Sequence, residues 1–131
     1  MNRLYGTIKK VQRAGSINRV VADCNGVAFT CVTLDLAGHF QAGSPVAIIF
    51  KETEVALAKK GDVLISISNQ LVCRVDAVEE GELLSEVALS FDGTGFNSII
   101  TTDSLKRLDI KAGDQVTALI KANEVSIEEV A

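Results

Sequence analysis

Val116–Ile127 reads VTALIKANEVSI, and Val46–Leu57 reads VAIIFKETEVAL. Each stretch opens with apolar residues and reaches a lysine, Lys121 or Lys51. Each then passes two variable residues and a Glu-Val pair and closes on an apolar residue. An Ala-Gly pair stands ahead of both, Ala112-Gly113 and Ala42-Gly43. Self-similarity of this kind marks an internal repeat, and in a chain of 131 residues it predicts tandem copies of one unit. Each unit ends in this strand–Lys–strand element.

Working outward from the second copy, Thr102–Leu108 predicts a short helix capped by Thr102 or Asp103, with Leu105 and Leu108 toward the core. Before it stand a strand at Phe96–Thr101, a hairpin loop at Asp92–Gly95, a strand at Leu83–Phe91 and a strand at Asn69–Val78. The first copy replays the order. Residues 2–13 alternate, with Leu4, Gly6 and Ile8 on one face; Gly15 turns the chain, and Gly81 takes its place in the second unit. Strands follow at Ile17–Cys24 and Val27–Leu34, joined by an Asn25-Gly26 hairpin signal. A shorter connector, Leu36–Phe40, replaces the helix, and Pro45 fits the start of the next strand, where a missing N–H is tolerated. Val46–Phe50 and Glu54–Ala58 are read as the last strands of unit one, and Val116–Ile120 and Glu124–Ile127 as those of unit two.

The expected fold is all-β, with at most one short helix per repeat: two tandem OB-like small barrels of about five strands each. The polar run Lys59–Asp62 sets the expected boundary, giving units 1–61 and 62–131, and Val63–Ser68 leads into the second. A unit of this size alone buries only about 60% of its unfolded surface, so the units are expected to pack together.

Composition narrows the function. Net charge is −4 and the isoelectric point about 5.0, against non-specific nucleic-acid binding, which rests on basic surface. Aromatics are 5% with no Trp, too few for the base-stacking platform that OB barrels use on single strands. Neither a secretory signal nor a run long enough to span a bilayer is visible, so a cytoplasmic protein without membrane contact is expected. Hydrophobic content of 47% and mean hydropathy of +0.27 point to subunit-contact surface. Cys24, Cys31 and Cys73 lack metal-like spacing and read as buried reduced thiols.

No enzyme signature is present. His39 is the only histidine, and Glu79-Glu80-Gly81-Glu82 and Glu128-Glu129 read as a solvated hairpin and a solvated tail. Gly93-Thr94-Gly95-Phe96 lacks the Gly-Lys-Ser/Thr of a phosphate loop and reads as a hairpin. What remains is the polar interruption of the repeat. Lys121 is followed by Ala122-Asn123, and Ser66-Ile67-Ser68-Asn69 leads into the unit's first strand. Hydroxyl, amide and ammonium donors beside a turn with free N–H groups can form an anion-binding nest. A surface lysine at a polar turn is the plainer alternative on composition alone.

Asn97–Ile127 resembles the molbindins, the Mop or TOBE-type molybdate-binding domains, and Gly81–Val87 (GELLSEV) is similar to that family's Gly-x-Val-x-Ala-Glu-Val. The resemblance covers nearly all of unit two; unit one is supported mainly by its likeness to unit two. The whole chain looks like a tandem molbindin. The resemblance implies an OB-like fold, strand-sharing homo-oligomers (a trimer of tandem chains favoured), and molybdate or tungstate held at subunit contacts. The stand-alone storage form fits a chain without room for a helix-turn-helix or ATPase domain. Residue by residue, the family's Ser-Ala-Arg-Asn matches Ser66, Ile67, Ser68 and Asn69, with Ser68 at the Arg position, and its Lys-Ala/Ser segment matches Lys121, Ala122 and Asn123. In unit one the corresponding candidates are Arg3, Lys51 and Thr53, and Glu52 would repel an oxyanion at close range. Unit two is therefore expected to keep a site and unit one to be structural. The alternative function is an oligomeric interaction or regulatory module of the same fold with degraded anion sites.

Overall fold

The computed structural model describes residues 1–59 and 64–130. The boundary expected between residues 61 and 62 lies outside the described residues. Unit one opens with β1 (Asn2–Ala14), β2 (Ile17–Cys24), β3 (Val27–Thr33) and β4 (Pro45–Phe50), then a 3₁₀ turn at Glu52–Glu54 and a short β5 (Ala56–Ala58). Unit two gives β6 (Asn69–Glu80), β7 (Leu84–Phe91), β8 (Thr94–Thr101), helix α1 (Thr102–Arg107), β9 (Gln115–Ile120), a 3₁₀ turn at Ala122–Glu124 and β10 (Ser126–Glu129). Among the described residues the strands form two five-stranded antiparallel sheets, ordered β10-β4-β1-β2-β3 and β5-β9-β6-β7-β8.

The sheet orders correct one expectation. Neither closing strand completes its own unit: β5 pairs with β9 of unit two (Ala56 opposite Leu119), and β10 pairs with β4 of unit one (Ile127 opposite Ile48). The Glu-Val pair after each lysine is where the chain crosses over. Val55 and Val125 are buried there, at 1% and 3% exposure. Glu128-Glu129, expected as a solvated tail, belong to β10 and point charges at unit one, Glu128 to Arg3 at 3.3 Å and Glu129 to His39 at 2.9 Å.

Local chemistry explains the rest. Asn25-Gly26 and Asp92-Gly93 both sit at positive φ (50° and 85°, 48° and 78°), the paired left-handed geometry of a two-residue hairpin turn matched to strand twist. The loop expected over Asp92–Gly95 is thus shorter, and β8 starts at Thr94. Gly81 departs from its counterpart Gly15: Gly15 turns at φ +61°, whereas Gly81 faces the Leu84 carbonyl so closely that a Cβ would lie 2.2 Å from it. The first strand of each unit breaks register once, between Ile8 and Lys10 and between Val75 and Ala77. Such bulges bend long strands, as a small barrel requires. The cap of α1 is Thr101, one residue earlier than expected, accepting from the Ser104 N–H at 3.1 Å. Leu105 is buried and Leu108 half-buried.

One continuous core joins the units, from Leu4, Ile8 and Val20 to Leu71, Val75 and Leu89. Phe29, Phe50, Phe96 and Phe91 run through it in a chain, with ring centroids 6.0, 5.7 and 6.0 Å apart; Phe50 is the link from unit one to Phe96 of unit two. All three cysteines are free and buried, as expected.

Candidate functional site

The junction between the units is held by paired contacts related by the repeat. The Asn2 side chain donates to the Asn97 carbonyl at 2.7 Å and accepts from the Asn97 N–H at 2.9 Å. Asn69, its counterpart, donates to the Thr30 carbonyl at 2.8 Å and accepts from the Thr30 N–H at 2.7 Å. Ser98 Oγ donates to the Val55 carbonyl at 2.7 Å, and Cys31 Sγ donates to the Val125 carbonyl at 2.9 Å. Each unit's first residue thus grips the other unit's third strand, and that strand grips the crossing point of its neighbour.

The candidates from sequence fall around this junction. Asn69 lies opposite Ile120 in the β6–β9 ladder, so Ser68 and Lys121 continue the two strands side by side beyond the last pair. The stretch Ser66–Asn69 and the turn Lys121–Asn123 are therefore neighbours within one chain. Ser66, Ser68, Lys121 and Asn123 are exposed, Ile67 and Ala122 half-buried, and Asn69 is 1% exposed with its amide committed to Thr30. Among the described residues, no side chain caps the 3₁₀ turn that starts after Lys121. Among the described residues, no carboxylate lies within ion-pair distance of Lys121.

Ile67, Lys121 and Thr53 share a groove of ≈ 490 Å³, with β5, the end of β8 and α1 around it. Asn123 instead lines the equivalent cleft of unit one, with Ile17 and Val32–Asp35. The structure thus brings the Ser66–Asn69 and Lys121 segments together but turns Asn123 to the other side of the junction.

Of the first-repeat candidates, Thr53 lines the groove with Lys121, Arg3 is paired with an acid, and Lys51 has an acid as its sequence neighbour. Arg3 pairs with Glu128 at 3.3 Å, and Glu52, next to Lys51, lies 2.9 Å from the Met1 ammonium. The hydrogen bond from that ammonium holds the Glu52 carboxyl below the usual carboxylate range, so it stays charged beside Lys51. Lys51 and Thr53 are exposed.

Sequence reasoning missed two contributors. Arg107 lines the groove from α1, its Nη2 donating to Ser104 Oγ at 3.2 Å. Thr30 receives Asn69 through its backbone alone, so its side-chain type carried no signal.

Architecture and junction together define a class: a tandem OB-like protein whose repeats exchange their closing strands. Residues 65–127 match the TOBE domain family. Molybdenum-pterin-binding protein 3 of Clostridium pasteurianum is 42% identical over 64 residues, 48% of this chain and 94% of that protein. The chain belongs to this family of TOBE-type molybdenum-pterin-binding proteins. It is also 36% identical over 81 residues to the molybdenum import ATP-binding protein ModC of Brucella abortus, covering 23% of ModC. In three dimensions it superimposes on the cytoplasmic molybdate-binding protein ModG, crystallised with molybdate bound, with a TM-score of 0.90. That match has 25% identity and covers 98% of this chain and 96% of ModG.

Proposed function

We propose that this protein binds molybdate or tungstate, as a cytoplasmic oxyanion-binding protein serving storage, homeostasis or sensing, without catalysis. The observation that carries the reading is the likeness to molybdate-bound ModG along nearly the whole chain. The junction supplies chemistry that fits. Ser66 and Ser68 offer hydroxyls, Lys121 an ammonium without a carboxylate partner among the described residues, and the uncapped turn at Ala122-Asn123 offers backbone N–H groups. A tetrahedral oxyanion needs a few aimed donors of this kind rather than a positive protein. In this reading Asn69 anchors the segment through Thr30, Ile67 lines the groove with Lys121, and Ser66 and Ser68 are exposed on either side of Ile67.

The second repeat is the binding repeat and the first is structural, because Glu128 occupies Arg3 and Glu52 keeps its charge beside Lys51. The working form is a homo-oligomer, a trimer of tandem chains. Tyr5 and Val72, equivalent positions on β1 and β6, are 60% and 62% exposed, and Ile17 and Leu84, equivalent on β2 and β7, are 51% and 57% exposed. Apolar side chains repeated at matching places on both sheets suit burial between copies.

Titration calorimetry with molybdate, tungstate and sulfate, with the oligomer mass measured on the same sample, tests the proposal. Molybdate or tungstate is expected to bind well above sulfate, and Lys121→Ala to weaken it about tenfold or more, the scale of one charge-assisted hydrogen bond. A well-folded oligomer that takes up none of the three would sink the reading and favour the interaction module.

A further inference from the structure

The first hairpins of the two repeats carry opposite charge at matching positions. Over residues 9–19, KKVQRAGSINR, stand Lys9, Lys10, Arg13 and Arg19 and no acid. Over residues 76–86, DAVEEGELLSE, stand Asp76, Glu79, Glu80, Glu82 and Glu86 and no base. Strand register sets the two in correspondence. Gln12 lies opposite Arg19 and Arg13 opposite Asn18 in β1–β2, as Glu79 lies opposite Glu86 and Glu80 opposite Ser85 in β6–β7. Arg13 and Arg19 thus hold the places of Glu80 and Glu86, and Lys9 and Asp76 fall in the matching register breaks.

Both hairpins stand clear of the core. Every residue from Gln12 to Ile17 and from Glu79 to Leu84 is exposed, and the tips bare Ile17, Leu83 and Leu84 at 51%, 79% and 57% exposure. Most of the charges are unspent within the chain. Among the described residues Lys9, Lys10, Arg13 and Arg19 have no carboxylate within ion-pair distance, and Glu79, Glu82 and Glu86 have no cation. Asp76 and Glu80 have Arg74 and Lys106 at 3.9 and 4.0 Å. Arg13 and Arg19 donate to neutral amides, Asn18 at 3.1 Å and Gln12 at 2.8 Å. Glu79 directly across from Glu86 is an unfavourable like-charge pair, which a cation from outside relieves. Glu79, Glu80 and Glu86 also rim a cleft of ≈ 270 Å³ with Leu84 on its wall, a setting that suits the stem and guanidinium of an arginine.

The signs decide which surfaces can meet. Two unit-one hairpins brought together oppose cation to cation, and two unit-two hairpins oppose acid to acid. One of each is attractive and brings apolar tip to apolar tip. Among the described residues the two hairpins of one chain form no ion pair with each other, which leaves a second copy as the complement.

We propose that the basic hairpin of one copy docks on the acidic hairpin of the next, so that copies of this chain join unit one to unit two. The proposal rests on the homo-oligomer reading and adds which surfaces meet. A head-to-tail contact of this kind closes into a ring when its rotation allows, and a ring of three engages every basic and every acidic hairpin once.

Sedimentation of the full chain at low ionic strength tests the charges. Arg13→Glu with Arg19→Glu is expected to weaken association about a hundredfold. Adding Glu80→Lys and Glu86→Lys to that variant should restore the oligomer, which a misfolded chain would not do. A cross-link reads the contact itself. Ser16→Cys and Leu83→Cys, at matching tip positions, are made in separate chains, refolded together and mildly oxidised. Disulfides are expected to join one variant to the other and neither to itself. Disulfides of like with like, an oligomer that keeps its mass through the charge reversal, or a four-residue swap that fails to restore it overturns the proposal and leaves the homo-oligomer reading standing. A wild-type chain that sediments as a monomer overturns both.

Discussion

Asn69 shows what one residue can hide. In the sequence it belongs with Ser66–Ser68 as an oxyanion candidate; in the fold both polar atoms of its amide are spent on the Thr30 backbone, and the side chain is 1% exposed. Asn69→Ala would leave the Thr30 N–H and carbonyl without their partner at a tight junction. Loss of such a pair costs about 2 kcal/mol. Urea denaturation without any added anion should therefore show Asn69→Ala destabilised by about that amount; unchanged stability would return Asn69 to a purely ligand-binding role. The cysteines make a second case. Burial pushes the Cys31 thiol up to about 11, and burial, partly opposed by a backbone hydrogen bond, pushes Cys73 up to about 12, from an ordinary 9.0. A thiol raised in the folded state favours folding fully below the unfolded value and loses that contribution as pH climbs through the folded one. Stability should hold up to about pH 9 and fall between about 9 and 12, with a shallower fall in Cys73→Ala. An equal slope in the two proteins would show that other groups govern alkaline unfolding. That these cysteines are buried was legible from their lack of pairing signals; how Cys31 is used, as a donor to the Val125 carbonyl, was not, because that partner is distant in sequence.

At the scale of elements, the strands were legible because their signals are local. Alternation set Leu4 and Ile8 on one face, which the fold buries, Asn25-Gly26 demanded a hairpin, and Pro45 marked the opening of β4. The destination of β5 and β10 was not legible. A strand of three or four residues has the same composition whether it folds back on its own unit or crosses to the other. The choice is made by what the crossing buries: Val55 sits where Ser98 reaches its carbonyl, and Val125 where Cys31 does. The candidate site was legible to the same extent. Lys121 and Ser66–Asn69 could be named from the pattern, and the β6–β9 ladder sets them side by side. Arg107 escaped because its meaning depends on α1 packing over the β5–β8 gap, a relation between elements far apart in sequence.

For the whole molecule, reciprocal exchange makes the units one folding body. Each sheet of five strands takes four from one unit and one from the other, and the core runs through both without a break. The contacts across the junction are also duplicated, Asn2 with Asn97 and Asn69 with Thr30, so neither unit carries the interface alone. Continuity of the chain between the units should then matter little once the fold is made. A protease site inserted between Gly61 and Asp62, cut after folding, should leave the halves co-migrating on a sizing column and separating only in denaturant. To part them in water would require stripping β10 from β4 and β5 from β9, which exposes the unpaired edges of both sheets together with Val55 and Val125. Halves that drift apart on the column would mean that each unit closes its own barrel in solution, and the junction groove, which needs Thr53–Leu57 of one unit against Ile99–Leu108 of the other, would lose its walls.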